Sequence, residues 1–206
     1  MLFSLLFSNP LEFLLVAGAL IVSLTIHEFS HALVAEKLGD PTPRLQGRIS
    51  LNPLVHLDPL GTVAMLLVGF GWGKPVMFDP YNLRNPKRDA ALIAAAGPVS
   101  NILLATTLSI LLHLISMPLF IQEVLGFVIA TNVGLAVFNL IPIHPLDGGK
   151  ILIGLAPREV AAEWDQILRQ YGTVILLFLI LPLNNGTSAV SSLISPIVSA
   201  ILRFLL

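Results

Sequence analysis

A glutamate flanked by two histidines lies near the start of the chain, in the segment His27-Glu28-Phe-Ser-His31. Two histidines four residues apart share one face of a helix, so both imidazoles can bind the same Zn²⁺ ion. Glu28 then lies beside the open coordination position, where a carboxylate can accept a proton from a water molecule. The spacing therefore predicts a catalytic metal site on a helix.

The composition places this segment in a membrane. Of the 206 residues, 55% are hydrophobic and 11% are charged, with a mean hydropathy of +0.88, whereas a soluble domain carries about 25% charged residues. The formal net charge of -1 excludes a nucleic-acid-binding protein. Because charged groups are costly in a bilayer, a membrane helix tolerates this histidine–glutamate cluster only where it faces a polar cavity or binds a ligand.

The third metal ligand is predicted to be Asp147. The chain has no cysteine, so any metal must be held by His, Asp or Glu. Asp147 lies in the segment NLIPIHPLDGG at residues 139–149, where two prolines and two glycines interrupt an apolar helix. Irregular backbone at membrane depth is tolerated where it lines a protein cavity. The expected depth of Asp147 matches that of His27 and His31, on the cytoplasmic side.

The other histidines have weaker claims as ligands. His113 is expected near the outer end of its span, too far from His27 in depth. His56 and Asp58 lie in a loop and are interpreted as solvated, unless that loop folds back. His144, three residues before Asp147, stays open as a ligand, a supporting partner or a residue that only lines the site.

Two asparagines on predicted spans leave a structural and a functional interpretation open. Asn139 can form a hydrogen bond between helices, or donate to a substrate carbonyl or a developing oxyanion. Asn101 raises the same question and favours the structural interpretation. Gly97, four residues earlier, would let two helices approach closely.

Long uncharged stretches predict five membrane spans, because about 20 apolar residues are needed to cross about 30 Å of hydrocarbon. Three are predicted at residues 13–38, 90–116 and 124–141, and the stretch 170–202 is divided into two short spans by the turn signal Pro182-Leu-Asn-Asn-Gly186. Residues 59–73 fit a re-entrant or interfacial segment better than a sixth span. The polar stretches 39–58 and 74–89 predict short cytoplasmic loops or β-hairpins. The predicted fold is an all-α polytopic membrane protein.

The basic residues predict the orientation. If residues 59–73 do not cross, all 11 Lys and Arg residues face the same side, which the positive-inside rule assigns to the cytoplasm. The N-terminus is then outside and the C-terminus cytoplasmic, in a multi-pass protein of the cell membrane. Residues 1–206 are predicted to form a single integral membrane domain.

Five motifs in a fixed order resemble the site-2 proteases, which are intramembrane zinc metalloproteases. They are HEFSH, GRISLNPLVHLDPLGT, GWGKPV, NPKRDAALIAAAGPVSN and NLIPIHPLDGGKIL, within about residues 13 to 155. The chain is most similar to the small prokaryotic branch, without PDZ or CBS domains. The resemblance implies zinc ligands at His27, His31 and Asp147, a general base at Glu28 and an active-site asparagine at Asn139. The position of His144 is commonly proline in this family.

The function predicted from these features is zinc-dependent hydrolysis of peptide bonds in or near the transmembrane segments of membrane protein or peptide substrates. One Zn²⁺ per chain is expected, with the lipid bilayer as the environment and no nucleic-acid partner. A membrane zinc transporter or metal sensor is the alternative, because it too would place His and Asp in the membrane. A catalytically inactive scaffold is the third class.

Overall fold

The protein is helical throughout, with one small β-hairpin, in the computed structural model, which describes residues 2–68, 71–184 and 187–206. Short 3-10 helices occupy Pro53–Val55 and Pro80–Asn82, and the strands β1 (Pro182–Asn184) and β2 (Thr187–Ser188) pair antiparallel. The α-helices of the described residues are α1 (Leu2–Ser8), α2 (Pro10–Lys37), α3 (Thr42–Leu45), α4 (Pro59–Val68), α5 (Pro86–Leu114), α6 (Leu119–Asn139), α7 (Asp147–Leu155), α8 (Arg158–Ile180) and α9 (Ala189–Leu205).

Three helices are long and apolar enough to cross a membrane. They are α2, α5 and α6, with 28, 29 and 21 residues, and at about 1.5 Å per residue even the shortest spans the hydrocarbon layer. They correspond to the first three predicted spans. The chain is therefore an all-α polytopic membrane protein, as its composition predicts.

The two remaining predicted spans correspond to α8 and α9, which are not both long and apolar in the way that α2, α5 and α6 are. The turn signal is confirmed in outline, because α8 ends at Ile180 and α9 begins at Ala189 with the β-hairpin between them. Asn185 and Gly186, the end of that signal, lie outside the described residues. Helix α9 has only 17 residues, and α8 carries five charged residues between Arg158 and Arg169. A total of five spans stays a prediction.

The two ends of the apolar segment 59–73 lie next to each other. Its helix α4 has ten residues, about 15 Å of rise and half of what a span requires. Leu57 forms an antiparallel bridge with Gly73, and the Lys74 amide donates to the His56 carbonyl over 2.8 Å. Gly69 lies outside the described residues. The paired ends support a segment that enters and returns on one side.

Helix α5 is the centre of the bundle and packs against α2, α6 and α7. Ala105 of this helix lies in a fully apolar cluster with Ile129 and Val133 of α6, closed by Leu205 near the C-terminus. Ser109 donates from its hydroxyl to the Leu205 carbonyl. Because α5 contacts both α2 and α7, it holds the two segments that carry the predicted metal ligands.

The loop after α2 is held by one buried carboxylate. Helix α2 ends at Lys37, and Gly39 has φ +112°, a conformation that L side chains rarely adopt. Asp40 then accepts hydrogen bonds from the Asp79 amide at 2.7 Å and from the Asn82 side chain at 2.8 Å. It also accepts two from Thr42. The polar stretches therefore fold as short helical turns tied together by Asp40.

Candidate metal centre

Three side chains from two distant parts of the chain converge at the centre of the bundle. His27 Nε2 lies 3.1 Å from Asp147 Oδ2, and His31 Nε2 lies 3.2 Å from the same oxygen. The histidines lie on α2, and Asp147 is the first residue of α7. All three are buried, with exposed fractions of 3%, 7% and 8%. The predicted ligand set is thus brought together, with one ligand atom from each residue within 4.8 Å of the others.

The other nitrogen of each ring is occupied by a protein acceptor. His31 Nδ1 lies 2.7 Å from the Ile93 carbonyl oxygen, which can only accept, so Nδ1 carries the hydrogen. His27 Nδ1 lies 2.7 Å from Asn101 Oδ1. The amide nitrogen of Asn101 is already turned towards the Ser23 carbonyl and Asn132 Oδ1. In its neutral form with the hydrogen on Nδ1, each imidazole presents an Nε2 lone pair towards the Asp147 carboxylate.

Two Nε2 lone pairs and a carboxylate oxygen that face one another in a buried space form a ligand set for a cation. Two ligands about 2.0–2.1 Å from a tetrahedral Zn²⁺ lie about 3.3 Å apart. The observed separations of 3.1 and 3.2 Å match that value. Hydrogen bonds from the second ring nitrogen to an oxygen acceptor are also typical of zinc-binding histidines. The donor set therefore fits Zn²⁺.

The space beside the two imidazoles exists because residue 97 has no side chain. A Cβ atom built at Gly97 would lie 2.5 Å from His27 Cε1 and 2.5 Å from His31 Nε2, closer than side chains tolerate. Gly97 lies on α5 next to Pro98, which is fully buried. Gly97 was predicted to let two helices approach closely, and this is confirmed. The groups of α2 that come closest to it are the rings of His27 and His31.

A cavity of about 310 Å³ opens beside the three side chains. Glu28 and Asn139, the two predicted catalytic residues, both line it. Glu28 is buried, and Asn139 is half-buried at the end of α6, donating one amide hydrogen to the Leu135 carbonyl at 3.0 Å. The non-helical segment 72–78, between α4 and α5, forms another part of the wall through Trp72, Val76 and Phe78 and their neighbours.

The rival residues lie elsewhere or have other partners. His113 is exposed on α5, and its ring Nδ1 bonds to the Ser109 carbonyl of its own helix. It therefore lies outside the metal-ligand group, as its predicted depth indicates. His144 is not in the metal-ligand group of the described residues and packs instead against Gly172 of α8. Asp58 accepts from the Gly61 amide at the start of α4.

The solvated interpretation of His56 is wrong. Its side chain is fully buried, the ring Nε2 lies 2.7 Å from the Ser50 carbonyl oxygen, and the His56 carbonyl accepts from the Lys74 amide. Burial lowers the pKa of His56 despite that hydrogen bond, so the ring is neutral at pH 7.

The favoured interpretation of Asn101, a hydrogen bond between helices, agrees with its contacts, but the sequence did not identify His27 as one of its partners. Asn101 is fully buried, and its side chain links His27 to Asn132 on α6. The only signal in the sequence was an amide on an apolar span four residues after Gly97. That signal shows a hydrogen bond is needed but does not identify its partner.

The comparisons with known proteins agree with this geometry. Residues 115–179 match the model of peptidase family M50. The chain is 37% identical over 202 residues to the Bacillus subtilis protein named "Putative zinc metalloprotease YwhC", which covers 89% of this chain and 92% of that protein. The chain belongs to peptidase family M50, the site-2 proteases.

Two further relatives of this M50 protein are more distant. "Putative zinc metalloprotease Rip2" of Mycolicibacterium smegmatis is 30% identical over 183 residues, covering 82% of this chain and 67% of that protein. "Zinc metalloprotease MJ0392" of Methanocaldococcus jannaschii is 27% identical over 173 residues, covering 80% and 42%. No solved structure matches the chain. Its family and its apolar helices make the protein a membrane-embedded zinc metalloprotease.

Proposed function

We propose that this M50 protease hydrolyses peptide bonds in or near the transmembrane segments of membrane proteins. In this proposal His27, His31 and Asp147 hold one Zn²⁺ and residues 1–206 act as a single membrane peptidase domain. The observation that carries the proposal is the convergence of two imidazole lone pairs and a carboxylate on a buried cavity that Glu28 also lines. Zn²⁺ at these residues supplies Lewis acidity towards a water molecule and the scissile carbonyl.

Glu28 is proposed as the general base. It follows His27 on α2, lines the same cavity and is 9% exposed, so its carboxylate reaches a water molecule in the cavity without facing bulk solvent. The carboxylate accepts the proton of the attacking water and returns it to the leaving amine, as one group can do in both halves of an acid–base reaction.

Asn139 is proposed to orient the substrate carbonyl. Its side-chain amide has two hydrogens, of which the Leu135 carbonyl accepts one. The second can be donated to a carbonyl oxygen in the cavity, where negative charge develops during hydrolysis. A helix–helix hydrogen bond, the other interpretation of Asn139, has no support among the described contacts, because the acceptor belongs to the same helix.

The substrate is proposed to bind extended against residues 72–78. A helical substrate must unwind locally before hydrolysis, because helical hydrogen bonds shield its carbonyl groups. An extended peptide can then pair with exposed backbone beside the cavity. Five residues of segment 72–78 line the cavity, and no residue of segment 45–52 does. The apolar side chains of this wall suit an apolar substrate.

The experiment compares the wild-type protein with Glu28→Gln, purified in detergent, for bound zinc and for cleavage of a panel of single-span membrane proteins. Both are expected to hold about one zinc per chain, and only the wild type is expected to cleave. Glu36→Gln is the matched control, because Glu36 lies on the same helix and pairs with the exposed Arg44.

Other outcomes contradict parts of the proposal. If neither protein binds zinc, the ligand set is wrong. If Glu28→Gln cleaves like the wild type, Glu28 is not the base. If both bind zinc equally and neither cleaves any substrate, zinc flux into vesicles tests the transporter alternative, in which Glu28 is not needed as a proton acceptor.

A further inference from the structure

Arg48 is a buried cation beside the cavity. It is 3% exposed, and its Nη2 lies 3.8 Å from Glu28 Oε2. Among the described residues, no other carboxylate lies within 4 Å of this guanidinium. Arg44, four residues earlier, is by contrast two-thirds exposed and pairs with Glu36 at the surface. Since burying a charge is costly unless it is paired and hydrogen-bonded, the position of Arg48 requires an explanation.

The same guanidinium also holds two main-chain carbonyl groups. Nη1 donates to the Val55 carbonyl at 2.8 Å, and Nη2 donates to the Lys74 carbonyl. Val55 ends the 3-10 helix that precedes α4, and Lys74 lies within segment 72–78, which lines the cavity. One side chain therefore connects the Glu28 carboxylate, the turn before α4 and the cavity wall.

We propose that Arg48 is a positioning residue for hydrolysis, which fixes the Glu28 carboxylate and the wall segment 72–78 in one arrangement. The proposal rests on the proposed role of Glu28 as general base. Only a planar guanidinium with several fixed donors can serve two carbonyls and a carboxylate together. A lysine ammonium keeps the positive charge but lacks the planar group with N–H donors in fixed directions.

The first test measures kcat, KM and bound zinc for Arg48→Lys and Arg48→Gln, with Arg44→Lys as the matched control. We expect kcat to fall by about 100-fold in Arg48→Gln and by less in Arg48→Lys, because a displacement of about 1 Å in a reacting group has an effect of that size. Zinc content is expected to stay at the wild-type level. KM is expected to rise as well, but by a smaller factor than kcat falls, because Arg48 also fixes segment 72–78, against which the substrate is proposed to bind.

The second test does not depend on activity. Since the chain has no cysteine, a single Val76→Cys substitution reports on the wall, where Val76 is 8% exposed. Replacing Arg48 by Lys or Gln is expected to raise its rate of maleimide labelling at least about threefold by local opening. Glu28→Gln is expected to do the same, and Glu36→Gln is not. Met77→Cys, which is 60% exposed without any change, is the control for reagent access.

These outcomes separate the proposal from the function on which it rests. Wild-type cleavage with inactive Glu28→Gln supports the function whatever Arg48 does. Unchanged Val76→Cys labelling in both Arg48→Lys and Glu28→Gln overturns the positioning role, as does a kcat within about twofold of the wild type in Arg48→Gln, where about 100-fold is expected. Loss of zinc together with activity would overturn it too, because Arg48 would then support the metal ligands. If Arg48→Gln does not fold, Glu28→Gln still decides the labelling test.

Discussion

Both histidines of the metal group are oriented by hydrogen bonds that leave Nε2 free. His31 donates from Nδ1 to the main chain of α5, and His27 donates to Asn101 on the same helix. Asn101 is in turn fixed by Asn132 on α6. Such supporting hydrogen bonds set the tautomer and the ring orientation of a metal ligand. The readiness of the site for a cation is therefore built into contacts between α2, α5 and α6.

Replacing Gly97 by alanine is predicted to abolish zinc binding. The added Cβ would lie 2.5 Å from both rings, and Gly97 is on the central helix α5, which is held between α2, α6 and α7. The rings must shift, which separates their Nε2 atoms from Asp147. We expect the purified variant to hold less than about a tenth of the wild-type zinc, in line with the loss in metal affinity when ligands lose their orientation. Metal analysis after gel filtration measures this.

Gly126→Ala is the matched control for that variant. Gly126 lies inside α6, and no atom lies within 4 Å of a Cβ built there. Alanine also has the higher helix propensity, by about 1 kcal/mol, so this variant should retain zinc and unfold at the same or a higher temperature. Wild-type zinc content in Gly97→Ala would contradict this prediction, because it would show that the two rings can accommodate a methyl group at residue 97 without losing the metal.

How far the site could be predicted from the sequence depends on the range of its contacts. His27, Glu28 and His31 lie within one helical turn or so, and the spacing alone relates them. Asp147 could be assigned to the same site because the lengths of the predicted spans place it at the same depth in the membrane as the two histidines. Asn101 and Arg48 could not be assigned, since their partners are set by packing between segments, such as the 74 positions between Asn101 and His27.

At the scale of elements, the helices that cross the membrane were predictable and the segments between them were not. The uncharged stretches predict α2, α5 and α6 because hydrophobic length is a local property. The loop residues 39–58 and 74–89 instead fold through single long-range contacts, of which the buried carboxylate of Asp40 is the clearest. This carboxylate joins the end of α2 to the turn before α5.

Asp40 is predicted to make the loop sensitive to acid. Burial alone would raise the pKa of Asp40, but hydrogen bonds from Thr42, Asn82 and Asp79 outweigh it and lower the pKa below its usual value. A depressed pKa in the folded state contributes stability above the unfolded pKa of about 3.9, and this is lost as the pH falls further. Asp40→Asn should therefore unfold at a lower temperature than the wild type at pH 7, with a difference that narrows below about pH 4.

Thermal unfolding in detergent at several pH values measures this difference. Asp165→Asn is the control, because Asp165 lies at the surface and pairs with the exposed Arg169 on α8. Surface ion pairs contribute about 0–1 kcal/mol, so this control should follow the wild type at every pH. A gap between Asp40→Asn and the wild type that stays constant down to pH 3 would contradict a role for the ionised carboxylate.

At the scale of the whole molecule, the paired ends of segment 59–73 bear on the orientation in the membrane. Because Leu57 and Gly73 are neighbours, the basic residues before and after this segment lie on the same side. The turn between α5 and α6, residues 115–118, contains no basic residue. The positive-inside rule then predicts that this turn lies outside the cell and that the loops after α2 lie in the cytoplasm.

Single cysteines test this orientation without background, because the natural chain has none. Ser116 lies exposed between α5 and α6, and Gln46 lies exposed at the end of α3. We expect a membrane-impermeant maleimide to label Ser116→Cys in intact cells and Gln46→Cys only after permeabilisation. The reverse labelling pattern would show that the protein has the opposite orientation in the membrane. Labelling of both in intact cells would mean that segment 59–73 crosses the membrane or that α5 does not, and the cavity beside Glu28 would then open to a different compartment from the one that the basic residues indicate.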